Sequence, residues 1–345
     1  MHLAQETLSP DNIPDYDIVD FFCGPVDGTA DLTIRCYGKQ FYLRVRETNL
    51  HNSEVQREFR ILLKKLELDD SQQAACETDP MEDLCFWIAQ QCNHRMRNFA
   101  STSSQRLSLR DWLTTETQFL DLKVENQRVI VADFEPDESL IASLIPSLKL
   151  PPELQVDVPF LDPSTIFLPS ISPSQECRPR RVFKETIPYF FKPASDPECM
   201  LREITTLLRI NRLSSNQVCR PALLCGLVMS PHAAGEICGV LLEYIDHRKV
   251  LSEVNMGAES PHTLIEWIKQ LKSGLHELHQ AGIIWGDAKP ENILIDKNND
   301  LRIVDFEGGY TEGWVDQDKA GSLEGDEQAL CRICQYLETN NGCKI

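Results

Sequence analysis

No apolar stretch of this chain is long enough to cross a bilayer as a helix, so a membrane-spanning protein is not expected. Positive charge is also scarce. Lys and Arg number 34 against 53 Asp and Glu, a formal net charge of −19. A chain so acidic repels nucleic-acid phosphates and anionic lipid surfaces, so neither nucleic acid nor membrane is expected as a partner. The short basic run Arg178, Arg180 and Arg181 reads as a solvated loop. Met1–Pro10 has neither a basic start nor an apolar core, so no secretory leader is expected. The protein is expected to be intracellular, cytoplasmic or nuclear. Its 13 cysteines are odd in number and scattered, which does not suit a disulfide framework. Cys331 and Cys334 form a lone CxxC without a second pair. They share a helical pattern with Leu330, Ile333 and Leu337, so packing is the expected role.

What is present is ordinary globular material. The 345 residues are 42% hydrophobic, enough for two domains with cores of their own. In the first region, Leu32–Cys36 and Phe41–Val45 alternate apolar and polar residues around Tyr37-Gly38-Lys39, a hairpin pattern. Glu54–Leu66 and Met81–Phe99 carry helical spacing. Prolines then crowd residues 136–175. Each removes an amide donor and restrains its neighbour, which excludes long helices and sets a domain boundary near Pro151. The expected division is 1–150, a mixed α/β domain of unknown role, and 151–345, a second domain. Part of the proline-rich stretch must supply the second domain's first strands. Thr186–Phe191, Ala222–Val228 and Ile237–Tyr244 read as strands. Asp196 and Pro197 open a helix over Glu198–Arg212. Ser260 and Pro261 open another, carrying Leu264, Ile268, Leu271, Leu275 and Leu278 on one face and ending at Gly282.

The chemistry concentrates in Ile284-Trp285-Gly286-Asp287-Ala288-Lys289-Pro290-Glu291-Asn292, followed by Val304-Asp305-Phe306-Glu307. Phosphoryl transfer needs a group that orients the attacking hydroxyl, oxygen ligands for Mg²⁺, and a cation to offset the moving charge. Asp287 can take the hydroxyl proton. Asn292 and Asp305 offer hard oxygen ligands. Lys289 can reach the transferred phosphate.

These residues resemble the protein kinase superfamily, whose catalytic loop reads H-R-D-x-K-x-x-N and whose metal motif reads D-F-G. Asp287, Lys289 and Asn292 match the loop, and Asp305 and Phe306 match the metal motif, at the family's separations. Lys192, ending an apolar strand, is similar to the family's phosphate-gripping lysine. Glu203 resembles its partner on the following helix, with Glu198 as the spare. Leu241–Ile245 resembles the segment between lobes whose backbone binds adenine, which points to Glu243 and Ile245. Asp326 resembles the buried aspartate that braces the catalytic loop. The stretches Trp285–Asn292 and Gly313–Val315 look like those of compact fungal protein-kinase-like proteins.

The departures from the pattern are specific. Pro151–Arg181 contains no glycine, so a glycine-rich loop is missing. Trp285 and Gly286 replace the His and Arg before the catalytic Asp, and Glu307 replaces the glycine of the metal motif. The segment after it is short and lacks A-P-E. Few residues follow Leu337. The resemblance therefore implies an α+β, two-lobed kinase-like domain with a reduced C-lobe, preceded by a separate mixed α/β domain. It implies ATP and Mg²⁺ as cofactors and transfer to a Ser/Thr hydroxyl of protein. A small-molecule kinase resembling aminoglycoside phosphotransferases is an alternative that Gly286-Asp287 suits and Lys289 opposes. A pseudokinase that only binds partners is a second alternative, suited by Glu307 and the missing glycine loop. The partners implied are ATP and a hydroxyl acceptor, protein or small molecule. Thr311 and Ser322 could be phosphorylated, but Lys319 is the only cation among Glu312, Asp316, Asp318 and Glu324. A phosphate there should repel rather than order, and replacing both hydroxyls by Ala is expected to leave turnover within about twofold.

Overall fold

The computed structural model describes residues 14, 16–24, 26–36, 38–51, 53–68, 78–97, 107–126, 128–144, 147–169, 180–213 and 220–339. It divides into two compact units. Counting described residues only, the first takes those up to Leu107, Asp111–Ser143 and Pro169, and the second takes Ser108–Arg110, Leu144–Leu168 and those from Arg180 onward. The chain thus changes unit before Pro151, since Leu144 and residues 147–150 belong to the second.

The first unit is a five-stranded sheet in the order β1 (Asp17–Gly24), β2 (Thr29–Cys36), β3 (Lys39–Arg46), β4 (Thr117–Glu125), β5 (Arg128–Asp133). β2 and β3 pair antiparallel as the expected hairpin, with Leu32–Ile34 and Gln40–Leu43 buried without a break; Tyr37 lies outside the described residues. β3 and β4 run parallel, so the chain must cross over between them, which α1 (Glu54–Leu66), α2 (Pro80–Gln91) and α3 (Asn93–Arg97) accomplish. Sheet residues Leu32, Ile34, Phe41 and Leu43 form one core with Phe59, Leu84 and Ile88 of the helices. The single helix expected over Met81–Phe99 is two. At Cys92 the ladder tightens, its N–H reaching back to the carbonyls of Ala89 and Gln90, and the chain restarts at Asn93. Phe99 lies outside the described residues. Two short helices follow in the chain, α4 (Leu109–Leu113) and α5 (Glu138–Ser143).

The second unit has a five-stranded sheet in the order β6 (Phe160–Leu161), β9 (Leu224–Met229), β10 (Ile237–Glu243), β8 (Ile187–Pro193), β7 (Arg181–Lys184). The proline-rich stretch contributes β6, parallel to β9, and Phe167, which exchanges two backbone hydrogen bonds of 2.8 Å with Phe183. α6 (Pro197–Asn211) follows β8, its first turn capped by Asp196, whose carboxylate accepts from Cys199 N–H. A three-stranded sheet, β11 (His247–Val250), β12 (Ile293–Asp296) and β13 (Leu301–Ile303), sits with α7 (Pro261–Gln280) and α8 (Leu323–Thr339). α7 buries Leu264, Trp267, Leu271, Leu275 and Leu278, each worth roughly 1.5–3 kcal/mol of apolar burial. Among the described residues no helix is long and apolar enough to cross a membrane.

The β12–β13 hairpin is fastened to α7 by polar bonds. Trp267 Nε1 donates to Asn299 O at 2.9 Å, Gln270 Nε2 to Asp300 Oδ1 at 2.8 Å, and Leu301 N to Gln270 Oε1 at 2.7 Å. This hairpin joins Asn292 to Asp305, so anchoring it fixes both ends of the constellation predicted above.

Candidate active site

Lys192 ends β8, where its neighbours in register are β10 residues, and its ammonium group turns toward α6. Nζ stands 2.9 Å from Glu203 Oε2, 3.0 Å from Asp305 Oδ1 and 3.3 Å from Glu307 Oε1. Glu203 is 1% exposed and faces the lysine; Glu198, one and a half turns earlier on the helix, is exposed. Glu203 Oε1 also accepts from Phe306 N at 3.3 Å, tying α6 to the turn that carries Asp305.

One cation facing three carboxylates leaves an excess of negative charge. Burial works against the Lys192 ammonium, but Glu203, Asp305 and Glu307 outweigh it and hold the lysine protonated well above its ordinary range. Burial pushes Glu203 up, and the lysine offsets this only in part. Glu307 is pushed up in the same way, with Asp305 adding repulsion. A divalent cation suits that excess, and the donors present are the hard oxygens Mg²⁺ prefers. Among the described residues no cluster of three or more His, Cys, Asp or Glu makes a ready metal cage. Magnesium held by one or two protein oxygens together with phosphates needs none.

The loop after α7 brings the second group of residues together. Gly282 (φ +66°) turns the chain out of the helix, and Gly286 (φ +88°) turns it again before Asp287. Asp326 at the start of α8, 2% exposed, accepts from the backbone N–H of Trp285 and of Gly286, both at 2.8 Å, and from His279 Nε2 at 2.9 Å. The Trp285 indole donates to the carbonyls of Val304 and Asp305, each at 3.0 Å. Asp305 itself has φ +67°, a left-handed conformation that costs a non-glycine residue about 1–2 kcal/mol and that these contacts sustain. Asn292 Nδ2 donates to Asp287 O at 2.9 Å and to Asp287 Oδ2 at 3.2 Å, so its amide orientation is fixed. Lys289 Nζ lies 2.7 Å from Asp287 Oδ2.

The sequence matches the protein kinase domain family over residues 191–326, the span that contains every one of these side chains. Residues 191–326 thus carry a domain of the protein kinase superfamily. The serine/threonine-protein kinase PknB of Mycolicibacterium smegmatis is 32% identical over 145 residues, 40% of this chain and 22% of its own length. The serine/threonine-protein kinase PKH3 of Eremothecium gossypii is 38% identical over 91 residues, 26% of this chain and 11% of its own. The CBL-interacting protein kinase 12 of rice is 35% identical over 66 residues, 19% of this chain and 12% of its own. The chain thus spans under a quarter of the length of each of these kinases.

Within the kinase domain, the residues expected to meet adenine sit where β10 ends. The Glu243 carboxylate is held by Arg220 at 2.6 Å and Arg302 at 2.9 Å, and the carbonyl of buried Ile245 lies 3.0 Å from His247 Nδ1. The glycine-free residues 170–179 lie outside the described residues. Sequence reasoning named Thr311 only as a possible phosphorylation site. Its hydroxyl donates to Asp287 Oδ1 at 2.9 Å and accepts from Lys289 Nζ at 3.0 Å. Replacing Thr311 and Ser322 was expected to leave turnover within about twofold; the Thr311 hydroxyl belongs to the hydrogen-bonded shell of Asp287. A threonine 24 positions from the aspartate has no spacing rule to reveal it. Glu307, read as a mere departure from the glycine of the motif, enters the lysine's own shell.

Proposed function

We propose that this chain is an ATP- and Mg²⁺-dependent phosphotransferase that moves the γ-phosphoryl group to Ser/Thr hydroxyls of protein. The observation that carries the reading is the simultaneous engagement of Lys192 by Glu203 and Asp305, at 2.9 and 3.0 Å, which unites strand, helix and metal-motif turn in one site. Lys192 would hold the α- and β-phosphates, and the backbone of Glu243–Ile245 would take adenine. Asp305 and Asn292 would supply oxygens to Mg²⁺, because Asn292 Nδ2 is committed to Asp287 and its Oδ1 is the group left to bind. Bound Mg²⁺ would neutralise charge on the β- and γ-phosphates. Asp287 would accept the proton of the acceptor hydroxyl as its oxygen bonds to phosphorus and the bond from phosphorus to the β-phosphate oxygen breaks, ADP leaving with the electron pair. Lys289, already on Asp287, would offset charge on the transferring group.

Lys289 in contact with both Asp287 and Thr311 supports a protein acceptor over a small molecule, as do the names of the relatives. The first unit would act as a separate domain. None of the described cysteines is in a disulfide, which suits an intracellular location.

Glu307 at 3.3 Å from Lys192 favours one rival, a pseudokinase whose lysine is occupied by protein carboxylates. Purified chain should hydrolyse ATP or phosphorylate itself with Mg²⁺, and Asp287→Asn should lose about a hundredfold or more. Equal activity in both proteins would remove Asp287 from the mechanism. Mg·ATP binding without turnover would select the pseudokinase.

A further inference from the structure

Arg202 stands beside Glu203 on α6 and plays no part in the mechanism above. Its guanidinium does not extend into solvent. It enters a slot whose two walls are glycines, Gly286 of the catalytic loop and Gly308 of the turn after Phe306. A Cβ added to Gly308 would overlap Nη1, and one added to Gly286 would overlap Nη2. Both glycines also hold positive φ, +88° at Gly286 and +77° at Gly308, a conformation other residues resist. Nη1 points at the carbonyl oxygen of Glu307 at 3.5 Å. Among the described residues no carboxylate pairs with this guanidinium.

The sequence makes this placement informative. The position before the catalytic Asp, where the resembling motif carries Arg, is Gly286. A glycine there removes one arginine and at the same time clears the volume that Arg202 fills from another element. Residues 202 and 203 then work as neighbours. Glu203 fixes Lys192 and the amide of Phe306, while the guanidinium of Arg202 is lodged against the loop of Asp287 and the turn of Asp305.

We propose that Arg202 is a positioning residue that replaces, from the helix, the arginine missing at position 286, locking the Asp287 loop and the Asp305 turn into one register. Its catalytic consequence rests on the phosphotransferase reading; its structural consequence does not. Guanidinium is suited to the task because its flat plane fits between the two glycines while Nη1 points at the Glu307 carbonyl, whereas an ammonium is a point charge without that plane.

The test is a double-mutant cycle in the full chain with Arg202→Ala, Gly308→Ala and the double variant. Amide exchange over residues 305–309 is read first, without nucleotide. Each single variant should speed exchange there about tenfold while α7 keeps its protection. The double variant should exceed Arg202→Ala only by the strain that Gly308→Ala brings at φ +77°, so the two effects should sum to less than their separate sizes, because both changes empty or block one slot. Turnover is read second. Arg202→Ala should lower kcat about tenfold with KM for ATP within about threefold, Arg202→Lys should recover little, and millimolar guanidinium ion should partly restore Arg202→Ala only. Unchanged exchange in Arg202→Ala, or effects that simply add, would overturn the proposal, as would full activity in Arg202→Met. The exchange arm needs no turnover, so an inactive unaltered chain would overturn the phosphotransferase reading and leave the positioning of Arg202 judged on its own.

Discussion

Replacing Lys192 by Met tests the electrostatics of the site more sharply than any loss of turnover. The change preserves most of the side-chain volume and removes the only cation from three carboxylates 2.9–3.3 Å away. An ion pair at such distances attracts by about 5–6 kcal/mol at an effective dielectric near 20, and removing one partner of a buried pair typically costs about 3–5 kcal/mol. Glu203 sets the ceiling. It is 1% exposed, burial already pushes its pKa up, and Lys192 is what pulls it back. Without the lysine that upward push is unopposed, and its limit is a glutamate that stays protonated across the whole range. Holding a glutamate protonated at pH 8 costs about 1.4 kcal/mol for each unit above an ordinary value near 4.3, or about 5 kcal/mol, but only about 1 kcal/mol at pH 5. The sign follows from the direction of the shift. An acid whose folded pKa is raised contributes stability below its unfolded pKa and loses it as pH rises through the folded value. Lys192→Met should therefore destabilise the second unit by about 3–5 kcal/mol at pH 8 and by about 1 kcal/mol at pH 5. Urea unfolding followed by amide exchange in Pro261–Gln280 reads the right unit, and urea leaves the charges unscreened where guanidinium chloride would not. A loss of equal size at both pH values, or under 1 kcal/mol at pH 8, would show that Glu203 is not held charged by this lysine.

Three further outcomes are expected. Asp305→Ala should abolish the Mg²⁺-dependent part of the thermal shift produced by ATP, and an undiminished shift would remove Asp305 from the metal site. Thr311→Ala should lower turnover about tenfold, near 1.4 kcal/mol of barrier, with Thr311→Ser close to the unaltered chain; a change within twofold would mean that the hydrogen bond to Asp287 is not used in the reaction. Glu307→Gln should raise the stability of the nucleotide-free chain by about 0.5–1 kcal/mol at pH 8, with the gain shrinking toward pH 5, because a carboxylate whose pKa is raised destabilises the fold only once it is ionised. Lower stability of that variant at pH 8 would show that Glu307 is a net partner of Lys192.

The sequence alone determined what depends on local rules. Asp196 and Ser260 mark their helices because a capping oxygen meets amides two or three residues on, a distance set by helical geometry. The alternation through Leu32–Cys36 and Phe41–Val45 follows from the two faces of a strand. Asp287, Lys289, Asn292 and Asp305 could be singled out because they lie on one short loop and hairpin, where spacing in the chain is nearly spacing in space. Tertiary structure decided whatever required distant segments to meet. Between Glu198 and Glu203 the choice turned on which helix face meets Lys192, and packing of α6 settles that, not the count of residues. Thr311 reaches Asp287 only because the chain after Phe306 folds back across the loop. Gly286 read as a loss, since a missing side chain leaves no trace in sequence of what fills its volume. Only the folded chain shows that the space is taken by Arg202, 84 residues earlier, because close packing lets one residue's absence be another's site.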